Sequence, residues 1–207
     1  MVKVTIVSQD PAVRRDDLQQ AVIRLINRDG AYALTEASVS AEAGIDEAEF
    51  AASFASIDEL VASVRLALID AHVSSISATF ARRRSLTESI QLALGSYWDT
   101  VEIHLEMQLA VRQLLMVNAL LRPEIARSQY MQMVGAGEAV LRELESVHQI
   151  IWELPVAQLA RMSIAMMDGL LTDYVVTRDS VGARRTLDVF AYHLAQHGRR
   201  AAKNHPK

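Results

Sequence analysis

Glu145 and His148 stand three residues apart, the spacing at which one helix offers a carboxylate and an imidazole to a di-iron centre. Such a centre needs a second Glu-x-x-His copy and two further glutamates on facing helices, and the chain has no second copy. His193 and His197 are four apart, which on a helix puts both rings on one face within reach of a metal. With no third ligand in view, the pair reads as surface histidines. The chain has no cysteine, which removes thiolate nucleophiles, disulfides and Cys-based zinc or iron–sulfur sites. Neither a Gly-rich phosphate loop nor a nucleophile elbow is present. The expectation is therefore no catalytic residue, no metal site, no cofactor, and a protein that is not an enzyme.

What remains with chemical character is the distribution of charge. The net charge is −4 over 207 residues, yet residues 31–60 alone carry Glu36, Glu42, Asp46, Glu47, Glu49, Asp58 and Glu59 with no Lys or Arg. The far end is the reverse: Arg178, Arg184, Arg185, Arg199, Arg200, Lys203 and Lys207 outnumber Asp179 and Asp188. Asymmetry of this kind marks either partner surfaces or solvated ends.

These residues must be carried by helices. The chain is 51% hydrophobic with only 4 Pro, and its apolar residues are mostly strong helix formers spaced at helical period. Leu18, Ala21, Val22, Leu25 and Ile26 make the stripe of a first helix that Gly30 ends. Thr35 caps a short helix that stops at Gly44, and Asp46 with Glu49 forms a capping box for the next. Ser56 with Glu59 opens a longer helix, and Ser85 with Glu88 opens the segment holding Tyr97, Trp98 and His104. Pro123 and Pro155 sit in the first turns of two more helices, and Leu187, Phe190, Ala191 and Leu194 mark the last. Gly135-Ala136-Gly137 predicts a kink or a close helix contact. The only alternating stretch is VKVTIV at the N-terminus, expected as a disordered or extended arm. No stretch reads as a signal peptide or as long enough to span a membrane, so a cytoplasmic location is expected. The fold class is all-α with about nine helices, and its character changes near residue 80, with ARRRS at 81–85 as the end of a helix.

Short helix, turn and short helix between Gly30 and Leu60 spell a helix-turn-helix. The residues Gly30, Leu34-Thr35, Val39-Ser40-Ala41-Glu42-Ala43-Gly44-Ile45, Phe54 and Glu59-Leu60 resemble the DNA-binding head of the TetR-type one-component regulators. MMDGLLTDYVVTRD and ARRTLDVFAYHLA resemble the last two helices of that family. Where the family usually reads Val-Ser-Lys-Gly-Thr-Leu-Tyr-x-x-Phe, this chain reads Ile45-Asp46-Glu47-Ala48-Glu49-Phe50-Ala51-Ala52-Ser53-Phe54. The apolar scaffold survives as Ile45, Phe50 and Phe54. The family's Lys, Thr and Tyr are replaced by Glu47, Glu49 and Ala51, and the Lys after the Phe by Ile57.

The resemblance implies a three-helix head with its arm over 1–56, and a connecting helix plus ligand-binding and dimerisation domain over 57–207. It implies a homodimer that binds double-stranded operator DNA and is released, as a repressor, by a small apolar or amphipathic effector. Arg14, Arg15, Thr35, Ser38, Glu47, Glu49, Ser53 and Ser56 are the DNA-facing candidates, with Lys3 in the arm. Trp98, His104, Met107, Met116, Tyr130, Met133, Trp152 and Met166 are the effector-pocket candidates, each also acceptable as ordinary core. Met162, Met166, Gly169, Leu170, Tyr174, Leu187, Phe190 and Leu194 are the dimer-interface candidates. The acidic recognition segment supports an alternative: a ligand-binding or protein-interaction module of the same shape that has lost DNA binding.

Overall fold

The computed structural model describes residues 11–80 and 84–200. The VKVTIV arm, Lys3, Lys203 and Lys207 lie outside the described residues, as does part of the 81–85 segment. The described chain runs α1 (Pro11–Asp29), a 3-10 turn (Ala31–Ala33), α2 (Glu36–Ala43), α3 (Glu47–Ser53), α4 (Ile57–Ser77), α5 (Leu86–Ile103), α6 (Leu105–Leu121) and α7 (Pro123–His148). After it come β1 (Ile150–Trp152), α8 (Val156–Thr177), α9 (Ser180–Ala195) and β2 (Gly198–Arg200). The all-α expectation holds, with nine α-helices among the described residues.

Two compact units divide the chain: Met1–Leu68 with His104–Ala126, and Ile69–Ile103 with Arg127–Lys207. The first is built on the predicted α1 stripe, in which Leu18, Ala21 and Val22 are fully buried. Val39 of α2, Phe50 of α3, Phe54 and the α4 residues Leu60, Val61 and Val64 close over it, and α6 adds Ala110 and Leu114. Each fully buried aliphatic or Phe side chain contributes about 1.5–3 kcal/mol, so this core dominates the unit's stability.

In the second unit α5 lies along α9, and both bury apolar residues: Ile90, Ala93, Leu94, Trp98 and Val101 of α5, and Ala183, Leu187, Ala191 and Leu194 of α9. Leu159, Ala160, Leu170 and Leu171 of α8 and Val134, Leu141 and Leu144 of α7 are buried in the same unit. α7 passes through the glycine pair without a break. A Cβ at Gly137 would lie 3.3 Å from the Ala160 Cβ, so the close-contact expectation applies.

Three features depart from the sequence reading. A two-stranded antiparallel ribbon pairs Ile150 with Arg200 and Trp152 with Gly198, joining the α7–α8 connection to the end of α9. Gly198 sits close to its neighbours there: a Cβ would lie 2.5 Å from Leu86 Cδ2 and 2.9 Å from Ile150 Cδ1, so those side-chain ends would have to shift. The Ser85 segment breaks at His104, whose φ of −113° and ψ of 34° separate α5 from α6. Finally, α4 is long and apolar enough to pass a membrane-span test by length and composition, contrary to the expectation. Its apolar residues Leu60, Val61, Val64 and Leu68 are buried in the protein, while most of its other residues are half-buried or exposed.

Candidate functional site

The candidate nucleic-acid face starts from two short helices that hold themselves. Thr35 accepts from the Ser38 N–H while the Ser38 hydroxyl accepts from the Thr35 N–H, closing a capping box at the start of α2. Gly44 ends α2 in the left-handed region at φ 71°, where its lack of a Cβ removes the strain. Asp46 then accepts from the Glu49 N–H at 2.8 Å, and Glu49 accepts from the Asp46 N–H at 3.2 Å. At the start of α3, the end that would otherwise present N–H groups to a phosphate, the Asp46 and Glu49 N–H groups are thus taken by the segment's own carboxylates. Glu47 stands beside it, exposed, with no hydrogen bond or ion pair among the described residues. Ser56 caps α4 by accepting from the Glu59 N–H, but the Glu59 carboxylate reaches the Ala55 N–H rather than that of Ser56.

The basic candidates are held by the acids. Arg14 lies 3.3 Å from Glu49. Arg15 donates to the Ser53 carbonyl, lies 3.8 Å from Glu59, and places its guanidinium 3.9 Å from the centre of the Phe54 ring. The Ser53 hydroxyl donates back to the Glu49 carbonyl. Sequence reasoning missed three more arginines. Arg24 and Arg28, one turn apart on α1, both clasp Glu42 at 2.8 Å, and Arg122, which caps the end of α6, holds Asp58 at 2.8 Å. The hydrogen bonds from Arg24 and Arg28 hold the Glu42 carboxyl below its ordinary range. Residues 11–68 carry ten carboxylates against five arginines, so even with every pair broken the face stays net negative. Exposed pairs contribute about 0.2–1 kcal/mol each, and a phosphate could displace one, but it would meet the released carboxylate within a screening length of about 8 Å.

The eight pocket candidates are divided between the two units. His104, Met107 and Met116 belong to the first unit, where Met107 packs on the core and Met116 is 53% exposed. Trp98, Tyr130, Met133, Trp152 and Met166 belong to the second. Trp152 is structural: its indole N–H donates to the Leu141 carbonyl at 3.0 Å. Tyr130 has Arg161 5.9 Å from its ring centre. Trp98 is fully buried with its ring edge-on to Tyr174 at 5.2 Å, and its indole N–H has no acceptor among the described residues. A buried donor left in that state costs about 1–3 kcal/mol.

Of the interface candidates, Leu170, Leu187 and Leu194 are buried inside the protomer and serve its own core. Met166, Tyr174 and Phe190 are half-buried, while Met162 and Gly169 are exposed. Besides Met162, the large apolar residues that α8 and α9 leave in solvent are Val176, Val181, Val189 and Tyr192. On α9 these occupy positions offset from the buried stripe, a second apolar face that the first one masks in the sequence.

The metal spacings resolve into ordinary contacts. Glu145 accepts from the Trp152 N–H, and His148 Nε2 lies 2.9 Å from the Ser89 hydroxyl. His197 falls past the end of α9 and so does not share a helix face with His193. No cluster of metal-ligating side chains occurs among the described residues.

No family model matches the chain, and no curated relative does. Solved structures do match. A TetR-family transcriptional regulator from Syntrophomonas wolfei superposes with a TM-score of 0.73 at 13% identity, over 94% of this chain and 100% of that one. The fatty acid degradation regulator FadR from Bacillus halodurans gives 0.70 at 13% identity, over 97% and 100%. A SmeT–triclosan complex gives 0.66 at 14% identity, over 94% and 95%. The chain has the all-α fold of the TetR-family regulators.

Proposed function

We propose that the chain is a ligand-responsive transcriptional regulator of TetR type, a homodimer that represses by binding operator DNA and is released when its C-terminal helices take up a small apolar or amphipathic effector. The observation that carries this reading is the helix-turn-helix itself: cap, left-handed Gly44, cap, and the Phe50 and Phe54 anchors on α1, in a chain with that fold. Release follows as a population shift, with effector favouring the arrangement of the two heads that does not fit DNA. Similarity to FadR and to the triclosan complex supports a small apolar effector.

The paired arginines and the acidic α3 favour a second reading, a binding module of the same shape without DNA contact. Fluorescence anisotropy on DNA from upstream of its own gene separates the two. The regulator reading requires specific binding that weakens steeply as salt rises, since each phosphate contact releases counterions. Affinity no better than for scrambled DNA, unimproved at low salt, would sink it. Glu47→Lys with Glu49→Thr adds a cation and frees Arg14 from its carboxylate. A gain of affinity supports the second reading, and loss of an existing site preference supports base contacts by the acids, which accept from cytosine amino groups.

A further inference from the structure

The first unit leaves apolar surface uncovered where α6 ends. That helix buries Ala110 and Leu114 in the unit's core and packs Met107, Val111 and Val117 against it. Met116 and Leu120 stand one turn apart on another side, and Leu120, with 76% of its surface in solvent, adjoins the equally uncovered Leu121. Single exposed apolar residues need no explanation, but a group at one helix end marks a surface that something covers. Contacts within the unit locate that end. Asn27, late in α1, donates to the Glu106 carbonyl at the start of α6. At the opposite end Arg15, early in α1, lies 3.8 Å from Glu59, and Arg122, just past α6, holds the adjacent Asp58. The two helices therefore run antiparallel, and α6 brings Leu120 and Leu121 to the end of the unit where α1 begins at Pro11.

Ten residues precede Pro11, and their sequence suits that surface. Val2, Val4 and Ile6 alternate with Lys3 and Thr5, a spacing that puts three apolar side chains on one side of an extended chain. Just beyond Leu121, in the first turn of α7, the exposed Glu124 carboxylate has no hydrogen bond or ion pair among the described residues, and Lys3 supplies the opposite charge. Reach is not limiting, since ten extended residues span about 33 Å against about 25 Å for the whole of α6. We propose that residues 2–7 cover this face within the same chain, their apolar side on Met116, Leu120 and Leu121 and Lys3 beside Glu124. The segment then serves the fold of the first unit under either reading of its function, and Lys3 leaves the DNA-facing set.

The chain has no cysteine, so two introduced ones report on each other alone. In the full chain Val4→Cys is combined with Leu120→Cys, or with Ala52→Cys as the control. Ala52 is exposed on α3 beside Ser53, whose carbonyl Arg15 reaches, so it too lies near the start of α1. Leu120 and Ala52 are both in solvent, and neither change touches the core. Each variant is oxidised with copper–phenanthroline at low protein concentration and resolved without reductant. The expected result is a link within one chain that forms at Leu120 at least about tenfold faster than at Ala52, because a docked segment concentrates its thiol at one site. Equal rates, or a faster link to Ala52, overturn the proposal: the segment then ranges freely or lies against α3. A Val4–Leu120 product of twice the chain mass overturns it as well and assigns the face to a second copy.

Discussion

Asp46 and Glu49 each serve two masters, since the carboxylates that close the first turn of α3 also set the sign of the surface it presents. Removing the cap with Asp46→Ala should cost about 1 kcal/mol, measured as a lower melting temperature. His148 gives a second test at this scale. Burial lowers its pKa from the ordinary 6.5, so the folded protein resists protonating it. Stability is therefore full above about pH 6.5 and declines as pH falls from there towards the lowered value, because the unfolded chain binds the proton first. His148→Gln should remove that component of the slope in denaturant melts run across pH 5 to about 7. A slope identical to wild type would remove His148 from the account. The caps were legible in sequence because their partners are three residues apart. The seats of Arg14, Arg15, Arg24 and Arg28 were not, because each finds its carboxylate or ring on another segment.

Among the elements, helices announced by a stripe and a cap were readable, and those set by distant contacts were not. The ribbon of β1 and β2 has too few residues for any alternation to register, and its strands meet only because α8 and α9 return the chain to β1. The break at His104 carries neither Pro nor Gly, so no local signal marks it. Gly198→Val should loosen the ribbon, since its side chain must push aside the ends of Leu86 and Ile150. The readout is faster amide exchange at Glu153, whose N–H donates to the His197 carbonyl at 2.8 Å, with the α5 and α9 amides still protected. Unchanged exchange at Glu153 would mean that the ribbon tolerates a side chain.

For the molecule as a whole, the two apolar faces of α9 make opposite predictions. Leu187→Ala strikes the protomer core and should cost about 2–5 kcal/mol in thermal or urea melts. Val189→Glu with Tyr192→Glu strikes the face left in solvent, so helix content should persist while light scattering reports a protomer instead of a dimer. A dimer that survives the double change would place the proposed interface elsewhere. Periodicity showed that α9 is a helix, but with apolar residues on both sides it did not separate the stripe that folds the chain from the one left in solvent.

Glu47 is exposed, no hydrogen bond or ion pair among the described residues engages it, and its one service to the fold is a negative charge in the first turn of α3. Glutamate and lysine codons differ by a single base. A single-base change there would put a positive charge in place of a negative one with the scaffold left intact, so the residue least committed to the fold is also the one through which the charge of this surface changes most cheaply.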